Sequence, residues 1–428
     1  MSISDDNDNR DAKRSAAPLR DFGEEERKEF WAILALKYCK GAGVRTIARL
    51  LRVYGGAYNS VENYAVWPKA GIPATLAAEF SSGKWRRAAR AEWDSAMKLN
   101  ASILLWTSEA YPELLRQLPD APGYLYCEGD LNLLSPASVA IVGSRNASTE
   151  GRRIAELLGR ELAAAGVTVI SGMASGIDAC AHEGALREIG GSVGVLGTGI
   201  DLEYPPVNKK LFAKMRQRGL LLSEFSPGFP PINYNFPIRN RIISGLSLGV
   251  VVVEAAEKSG SLVTARIALE QNREVLAVPG TPFDDHSKGC QNLIRMGAHP
   301  VFAFDDILKN LSGNLKFCAE KRNFYRAEAR TLHFSPPDDT PIQRELAPAP
   351  PRAKKETPDL PPEITRNVAG MDKSTMIMDI LRRREFWQVD DLAVALDMTS
   401  QDLNAALIVM EIQGKIKRLS GANYAALD

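Results

Sequence analysis

Six short segments of this 428-residue chain are dominated by glycine, small polar residues and cations. They are Gly143-Ser144-Arg145, Ser171-Gly172-Met173-Ala174-Ser175-Gly176, Gly197-Thr198-Gly199, Arg239-Asn240-Arg241, Lys258-Ser259-Gly260-Ser261 and Pro279-Gly280-Thr281. Glycine lets a ligand reach the backbone, unpaired N–H groups at a helix start point toward it, and arginine or lysine supplies charge. The chemistry these residues do together is anion binding. Glycine and serine also close turns and cap helices, a reading that weighs most on the 197–199 segment.

The elements that must position these segments alternate between strand and helix. Apolar runs occur at 139–142, 167–170, 193–196, 220–222, 250–253 and 275–278, with amphipathic stretches at 150–165, 177–189, 208–218, 262–271 and 291–296. Strands so uniformly apolar are buried on both faces, which predicts an α/β domain with a doubly wound parallel, Rossmann-like sheet over 135–312. The ligand of such a sheet sits at the carboxyl ends of its strands, the edge on which the segments fall. Arg239-Asn240-Arg241 is expected to open a helix.

Around this domain the composition changes. Residues 1–27 are polar and aperiodic and read as a disordered arm. Helical periodicity (Phe30, Ile33, Leu34; Ile47, Leu50, Leu51) makes 28–100 a small all-α domain, and 101–134 is a connector rich in aromatics and proline. Nine prolines between Phe334 and Pro362 mark 313–370 as an extended linker. Over 371–428 three helical patterns precede a two-stranded wing, Ile416 to Leu419 and Tyr424 to Leu427, which predicts a winged helix.

Several function classes are excluded. No run approaches the roughly 18 to 20 apolar residues of a membrane span, and the start lacks the apolar stretch of a signal peptide, so a cytoplasmic protein without membrane contact is expected. The five cysteines are far apart with no CxxC, and the four histidines pair with none of them, so neither a disulfide framework nor a metal is expected. GxGxxG and Walker A are absent, which removes dinucleotide binding and P-loop hydrolysis and leaves no cofactor to expect. Asp178 and His182, four apart with Ser171 and Ser175 upstream, superficially offer a nucleophile, a base and an orienter, but one helix turn more often holds a local pair or cap than a triad. With 53 Lys plus Arg against 52 Asp plus Glu, the net charge of +1 says little about partners, because a basic groove hides easily in a balanced total.

The stretch Phe225-Ser-Pro-Gly-Phe229-Pro-Pro-Ile-Asn-Tyr234-Asn-Phe236-Pro-Ile-Arg239 interleaves rings with Asn and Arg. Rings beside cations suit unstacked bases and their phosphates. The same rings equally serve to plug the edge of the domain.

Taken in order, Ala140-Ile-Val-Gly-Ser-Arg, Ser171-Gly-Met-Ala-Ser-Gly-Ile-Asp-Ala-Cys-Ala-His, Phe236-Pro-Ile-Arg-Asn-Arg, Val251-Val-Val-Glu-Ala, Lys258-Ser-Gly-Ser-Leu-Val-Thr-Ala and Val278-Pro-Gly resemble the DprA/Smf family over about 170 residues of the central domain. The resemblance implies a non-enzymatic factor of natural transformation that binds and protects incoming single-stranded DNA and helps load the RecA recombinase. It implies a pocket made of Gly143, Ser144, Arg145, Gly172, Gly176, Arg239, Asn240, Arg241, Lys258 and Ser261, with no catalytic residue. It also implies a homodimer through the last βα part, where Leu293, Ile294 and Met296 are candidates for the interface and equally for the core. The competing reading is a nucleotide or nucleoside-monophosphate hydrolase of the LOG type, using the same loops with Glu254 or Asp178 as base. Against it, the stretch at 254–265 lacks that family's double glycine and following glutamate.

Two flanking features add to this. Gly41-Ala-Gly-Val-Arg-Thr-Ile-Ala-Arg looks like a helix-hairpin-helix with Arg45, Arg49 and Arg52 near a phosphate, or else an ordinary helix packed by Ile47, Leu50 and Leu51. In the C-terminal module the third helix offers Gln401, Asp402, Asn404 and Glu411, and the one before it Asp390, Asp391 and Asp397, where a duplex reader needs donors, so despite a modest basic counterpatch of Arg382, Arg383, Arg384, Lys415, Lys417 and Arg418 it is expected not to read duplex DNA alone.

Overall fold

The structure, a computed structural model, describes residues 16–134, 137–281 and 284–315, and in the C-terminal part 373–382 with separate positions up to 426. It divides into two compact units, 1–335 and 336–428.

The first unit is organised by a ten-stranded sheet in the order β1-β2-β3-β7-β6-β5-β4-β8-β9-β10. Its centre consists of β4 (Ser138–Val142), β5 (Thr168–Ser171), β6 (Ser192–Val195), β7 (Leu220–Ser223), β8 (Gly249–Val252), β9 (Glu274–Ala277) and β10 (His299–Pro300). From β7 across to β10 every neighbouring pair is parallel. The apolar runs read as strands form this block, buried on both faces, with α7 (Thr149–Ala164), α8 (Ile177–Ala185), α9 (Lys209–Arg218), α10 (Asn235–Gly245), α11 (Ser261–Glu270) and α12 (Lys288–Arg295) between them. The chain runs outward from β4 through β5, β6 and β7, then returns to β4's other side at β8. That reversal opens a crevice at the carboxyl ends of β5, β4 and β8.

Over 135–312 the sheet is parallel as expected, and the segment before it adds antiparallel strands that make the whole sheet mixed. Residues 101–134 supply β2 (Ser102–Leu105) and β3 (Tyr124–Gly129), which run antiparallel, with β3 paired to β7 through Tyr126↔Ser223 to Gly129↔Leu220. Near the chain start, β1 (Ala17–Pro18) extends the same edge against β2. Part of the expected disordered arm is therefore ordered: Leu19 and Phe22 are buried, and the Phe22 ring meets Phe30 edge-on at 6.4 Å. Residues 1–15 lie outside the described residues. At the other end, helical residues 304–315 cross the expected boundary at 313, and 316–370 also lie outside the description.

The N-terminal helices α1 (Glu24–Tyr38), α2 (Val44–Tyr54), α3 (Ala57–Glu62), α4 (Ala74–Ser81) and α5 (Arg86–Leu99), with the short α6 (Glu113–Arg116), share one continuous hydrophobic core with one face of the sheet. Phe30, Leu34, Leu50 and Trp67 belong to the same cluster as Tyr126, Val195 and Leu222. In α2, Arg49 donates to the carbonyls of Ala70 and Gly71, and Arg52 to those of Ala48 and Pro119, so these two cations tie the helix to its neighbours.

Across the seam between helices and sheet lies Glu92 of α5, 3% exposed. It accepts from Lys37 Nζ at 2.8 Å, Tyr38 Oη at 2.6 Å and Tyr126 Oη at 3.0 Å, and also from Tyr124 Oη. Burial raises the carboxyl pKa, but the Lys37 charge and these donors outweigh burial and hold it below its ordinary value. Because the folded pKa lies below the unfolded one, the stabilisation is complete above the ordinary value of 4.5 and is lost as pH falls through the folded pKa.

The second unit contains α13 (Lys373–Leu381) and a sheet in the order β11-β13-β12, with β11 (Trp387–Gln388), β12 (Ile416–Leu419) and β13 (Asn423–Ala426) antiparallel. Ile377, Leu381, Leu392, Leu403, Leu407, Met410, Ile416 and Tyr424 form its core. The wing expected with two strands has a third, because Trp387 pairs with Tyr424.

Glu92→Gln should lower stability near pH 7 by roughly 3 kcal/mol, as breaking a buried pair does. Thermal melts at several pH values should also show stability less dependent on acid than in the wild type as the pH falls below about 4.5. Equal acid sensitivity of both proteins would remove Glu92 as the source of that dependence.

Candidate functional site

A cavity of about 570 Å³ opens where β4, β5 and β8 end. Gly143, Ser144 and Arg145 reach it from the loop after β4, Ala174 and Asp178 from the segment after β5, Arg239 and Asn240 from α10, and Lys258 to Ser261 from the start of α11. The arrangement follows from the sheet's reversal: the loops after the neighbouring strands β5, β4 and β8 converge there, and α10 adds Arg239 and Asn240.

The floor of the cavity holds a buried cation. Arg239 is 4% exposed; its Nη1 donates to the Val195 carbonyl and its Nε has no hydrogen-bond partner. Burial lowers its pKa to about 10, with Asp178 acting against the shift and Arg145 adding to it, so the group stays charged at neutral pH. Asp178, also buried, accepts from the Gly172 N–H at 3.0 Å. Burial raises its pKa, and the charge of Arg239 pulls the other way.

Above this floor, Arg145 is exposed and its guanidinium lies 5.3 Å from the centre of the Phe236 ring, while that of Arg239 lies 6.0 Å from the same ring. Tyr204 stands against the other part of Phe236, with ring centres 5.8 Å apart. Lys258 is exposed at the rim, and the Ser259 and Ser261 hydroxyls are 2.8 Å apart at the α11 start, where the first turn carries no acid. Three cations thus face one carboxylate across a cavity with an aromatic wall. Coulomb repulsion between the arginines is relieved when an anion lies between them.

Not every residue expected at the site reaches it. Arg239 and Arg241 lie inside α10, a turn beyond its start at Asn235, instead of opening the helix. Two residues apart on a helix, they point to different sides. Arg241 therefore faces away, buried, donating to the Glu224 carboxylate at 2.6 Å and the Asp120 carbonyl at 2.7 Å. Gly172 and Gly176 serve packing. A Cβ on Gly172 would overlap the Arg239 guanidinium, and Gly176, at φ +80°, would set a Cβ 2.3 Å from the Ser144 carbonyl oxygen. Their missing side chains seat Arg239 and the 143–146 loop, which is a contribution to the site at one remove. Leu293 belongs to the core, Ile294 packs against it half-buried, and Met296 is 76% exposed. Of the aromatic stretch, Phe225 and Phe229 stack on each other at 5.4 Å, and Phe236 alone among its rings lines the cavity.

Of the residues considered for hydrolysis, Asp178 lines the cavity opposite Arg239, and His182, Ser171 and Glu254 are held in internal hydrogen bonds. His182 binds Ser192 Oγ through Nδ1 at 2.7 Å and accepts weakly from the Met173 N–H at Nε2; burial, with Arg239 nearby, depresses its pKa to about 3. Ser171 Oγ donates to the Ile141 carbonyl, and both Glu254 oxygens accept from Ser148. Sequence reasoning missed Asn146, Asn233 and Thr264 as lining residues, and Asp178 as the partner of the buried arginine. Only Asp178 carried a signal, its place at a helix start beside the glycine segment.

Residues 102–312 match the family described as DNA recombination-mediator protein A, and 348–422 match the DprA winged helix domain. Protein Smf of Synechocystis is 34% identical over 329 residues, 76% of this chain and 80% of that protein. Protein Smf of Escherichia coli is 45% identical over 242 residues, which span 56% of this chain and 65% of its relative. Among solved structures, DNA processing protein A from Streptococcus pneumoniae aligns at a TM-score of 0.58 with 34% identity, covering 65% of this chain and 97% of that one. Matched through both its central sheet and its C-terminal module, the chain belongs to the DprA/Smf family of DNA recombination-mediator proteins.

Proposed function

We propose that the chain binds single-stranded DNA in the cavity at the sheet's reversal, protects incoming strands in the cytoplasm, and helps load the RecA recombinase onto them without itself catalysing a reaction. The observation that carries the reading is the buried Arg239 with its unpartnered Nε, set against Arg145 and Lys258 across an aromatic wall. A cavity lined by cations at the sheet edge suits a flexible strand laid along its phosphates, and the ring of Phe236 suits any base, so little sequence preference follows. RecA and the context of DNA uptake rest on the family likeness. Glu254 and His182 are held in internal hydrogen bonds, which disfavours the hydrolase reading.

Self-association belongs to the same proposal, through the end of the sheet that exposes Met296 and Phe302. Met296→Glu should leave a folded monomer in light scattering, and an unchanged dimer would place the interface elsewhere.

With about four phosphates neutralised, log K for an unstructured oligonucleotide should fall against log salt with a slope near 3. Arg145→Ala and Lys258→Ala, both exposed, should each take roughly 0.7 from that slope. Slopes unchanged in both folded variants would place the DNA elsewhere. Arg239 is a poor first test, because its removal leaves Asp178 buried without its cation.

The acidic C-terminal unit serves as a partner-binding arm. Residues 336–428 alone should show no duplex binding at about 150 mM salt. Micromolar duplex affinity would make the protein a two-site DNA binder.

A further inference from the structure

Three helix N-termini meet around the cavity, and they are not equivalent. The N-cap of α7, Ser148, follows two residues after the lining Asn146, α8 carries the lining Asp178 in its first turn, and α11 opens at the lining Ser261. At α7 the N-cap Ser148 is itself held by Glu254: the Ser148 N–H donates to both carboxylate oxygens at 3.1 Å, and its Oγ donates to Oε2 at 2.6 Å while accepting from the Gly151 N–H at 2.9 Å. Glu254 is 4% exposed, and its backbone carbonyl also accepts from the Ser144 N–H at 2.7 Å. A Cβ on Gly151 would lie 2.3 Å from Oε2, so the first turn of α7 is shaped around that oxygen. Glu150 adds a second carboxylate to the same turn. Only α11, of the three, has no acid in its first turn, and it shares the cavity with the unpartnered Nε of Arg239.

In sheets of this topology that bind nucleotides, the pyrophosphate rests on the N-terminus of the helix after the first strand of the doubly wound order. Here that position is filled by an internal anion. We infer that Glu254 determines which phosphates the site accepts: its carboxylate excludes compact polyphosphates from α7, so that only a strand laid across Arg145, Arg239, Lys258 and the α11 start is bound. The inference deepens the single-strand reading and rests on it for the identity of the bound polymer. Glu254 acts as a specificity-determining residue, since it touches the loop and helix start that border the ligand and not the ligand itself.

Titrating the full chain and Glu254→Gln with inorganic pyrophosphate and, separately, with labelled oligothymidylate at one ionic strength reads the two affinities. Expected in Glu254→Gln is a gain of about tenfold or more for pyrophosphate, with oligothymidylate affinity rising by less than about threefold. A parallel gain for both ligands would make Glu254 one more charge near a basic cavity, and an unchanged pyrophosphate affinity would remove its role; either overturns the inference. Should Glu254→Gln not fold, pyrophosphate is titrated against oligothymidylate bound to the wild-type chain, and no displacement is expected below about millimolar concentration. Displacement at micromolar concentration overturns the inference as well. Failure of the wild-type chain to bind oligothymidylate would refute the single-strand reading by itself, while the pyrophosphate titrations still decide the role of Glu254.

Discussion

A guanidinium kept almost wholly out of water dictates how the rest of the central domain is arranged. Arg239 gives up its hydration shell, and a buried charge is tolerated only where hydrogen bonds and an opposite charge replace that shell. The Val195 carbonyl and Asp178 supply the replacement in part, and Gly172 supplies the room. Asp178 is in turn fixed by the Gly172 N–H, and the loop that carries both is braced by Asn208, whose Nδ2 donates to the carbonyls of Met173 and Ala174. The start of α10 is pinned by Asn235 donating to the Gly197 carbonyl. The loops that carry Gly172 and Gly197 are thus either around the cation or supporting something that is. The Nε left over is the part of the account that a ligand must close.

This dependence explains what could and could not be read from residue order. The strands were legible because double-sided burial forces continuous apolar runs, and the reversal at β4 then placed the anion segments on one edge. The split between Arg239 and Arg241 was hidden: both belong to one cationic triplet, and only the true start of α10, set by a tertiary hydrogen bond at Asn235, decides which one turns inward. Gly172 and Gly176 were recognisable as necessary, but Gly172 makes room for Arg239, 67 residues later in the chain, and Gly176 for the Ser144 carbonyl, 32 residues earlier. Asp178 drew notice as a catalytic candidate because helix spacing pairs it with His182. The cation it actually serves comes from another element, and no local spacing announces that.

The aromatic and proline-rich segment before the sheet was the largest misreading. Tyr124 and Tyr126 lie in a strand of only six residues, and its neighbour β2 has four, lengths at which alternation carries little signal. Their partner, β7, is nearly a hundred residues away, and the pairing is antiparallel in a sheet that otherwise announced itself as parallel. Glu92, which looks like an ordinary helix-surface acid in sequence, is buried because these two tyrosines of β3 and Lys37 of α1 converge on it from two other elements.

That antiparallel graft has a bearing on how the molecule can be divided or inherited. A βαβ block cut out at residue 135 would leave the β3-facing backbone N–H and C=O groups of Leu220–Ser223 without their partners, while β6 kept its own pairing, and would present a bare apolar margin as a template for any passing strand. It would also uncover Leu222 and Phe212, which now share a core with the N-terminal helices. The helices and the two strands behind them are therefore a selvedge as much as an appendage: the nucleic-acid block could be shuffled between genes only together with whatever had come to bind off that margin.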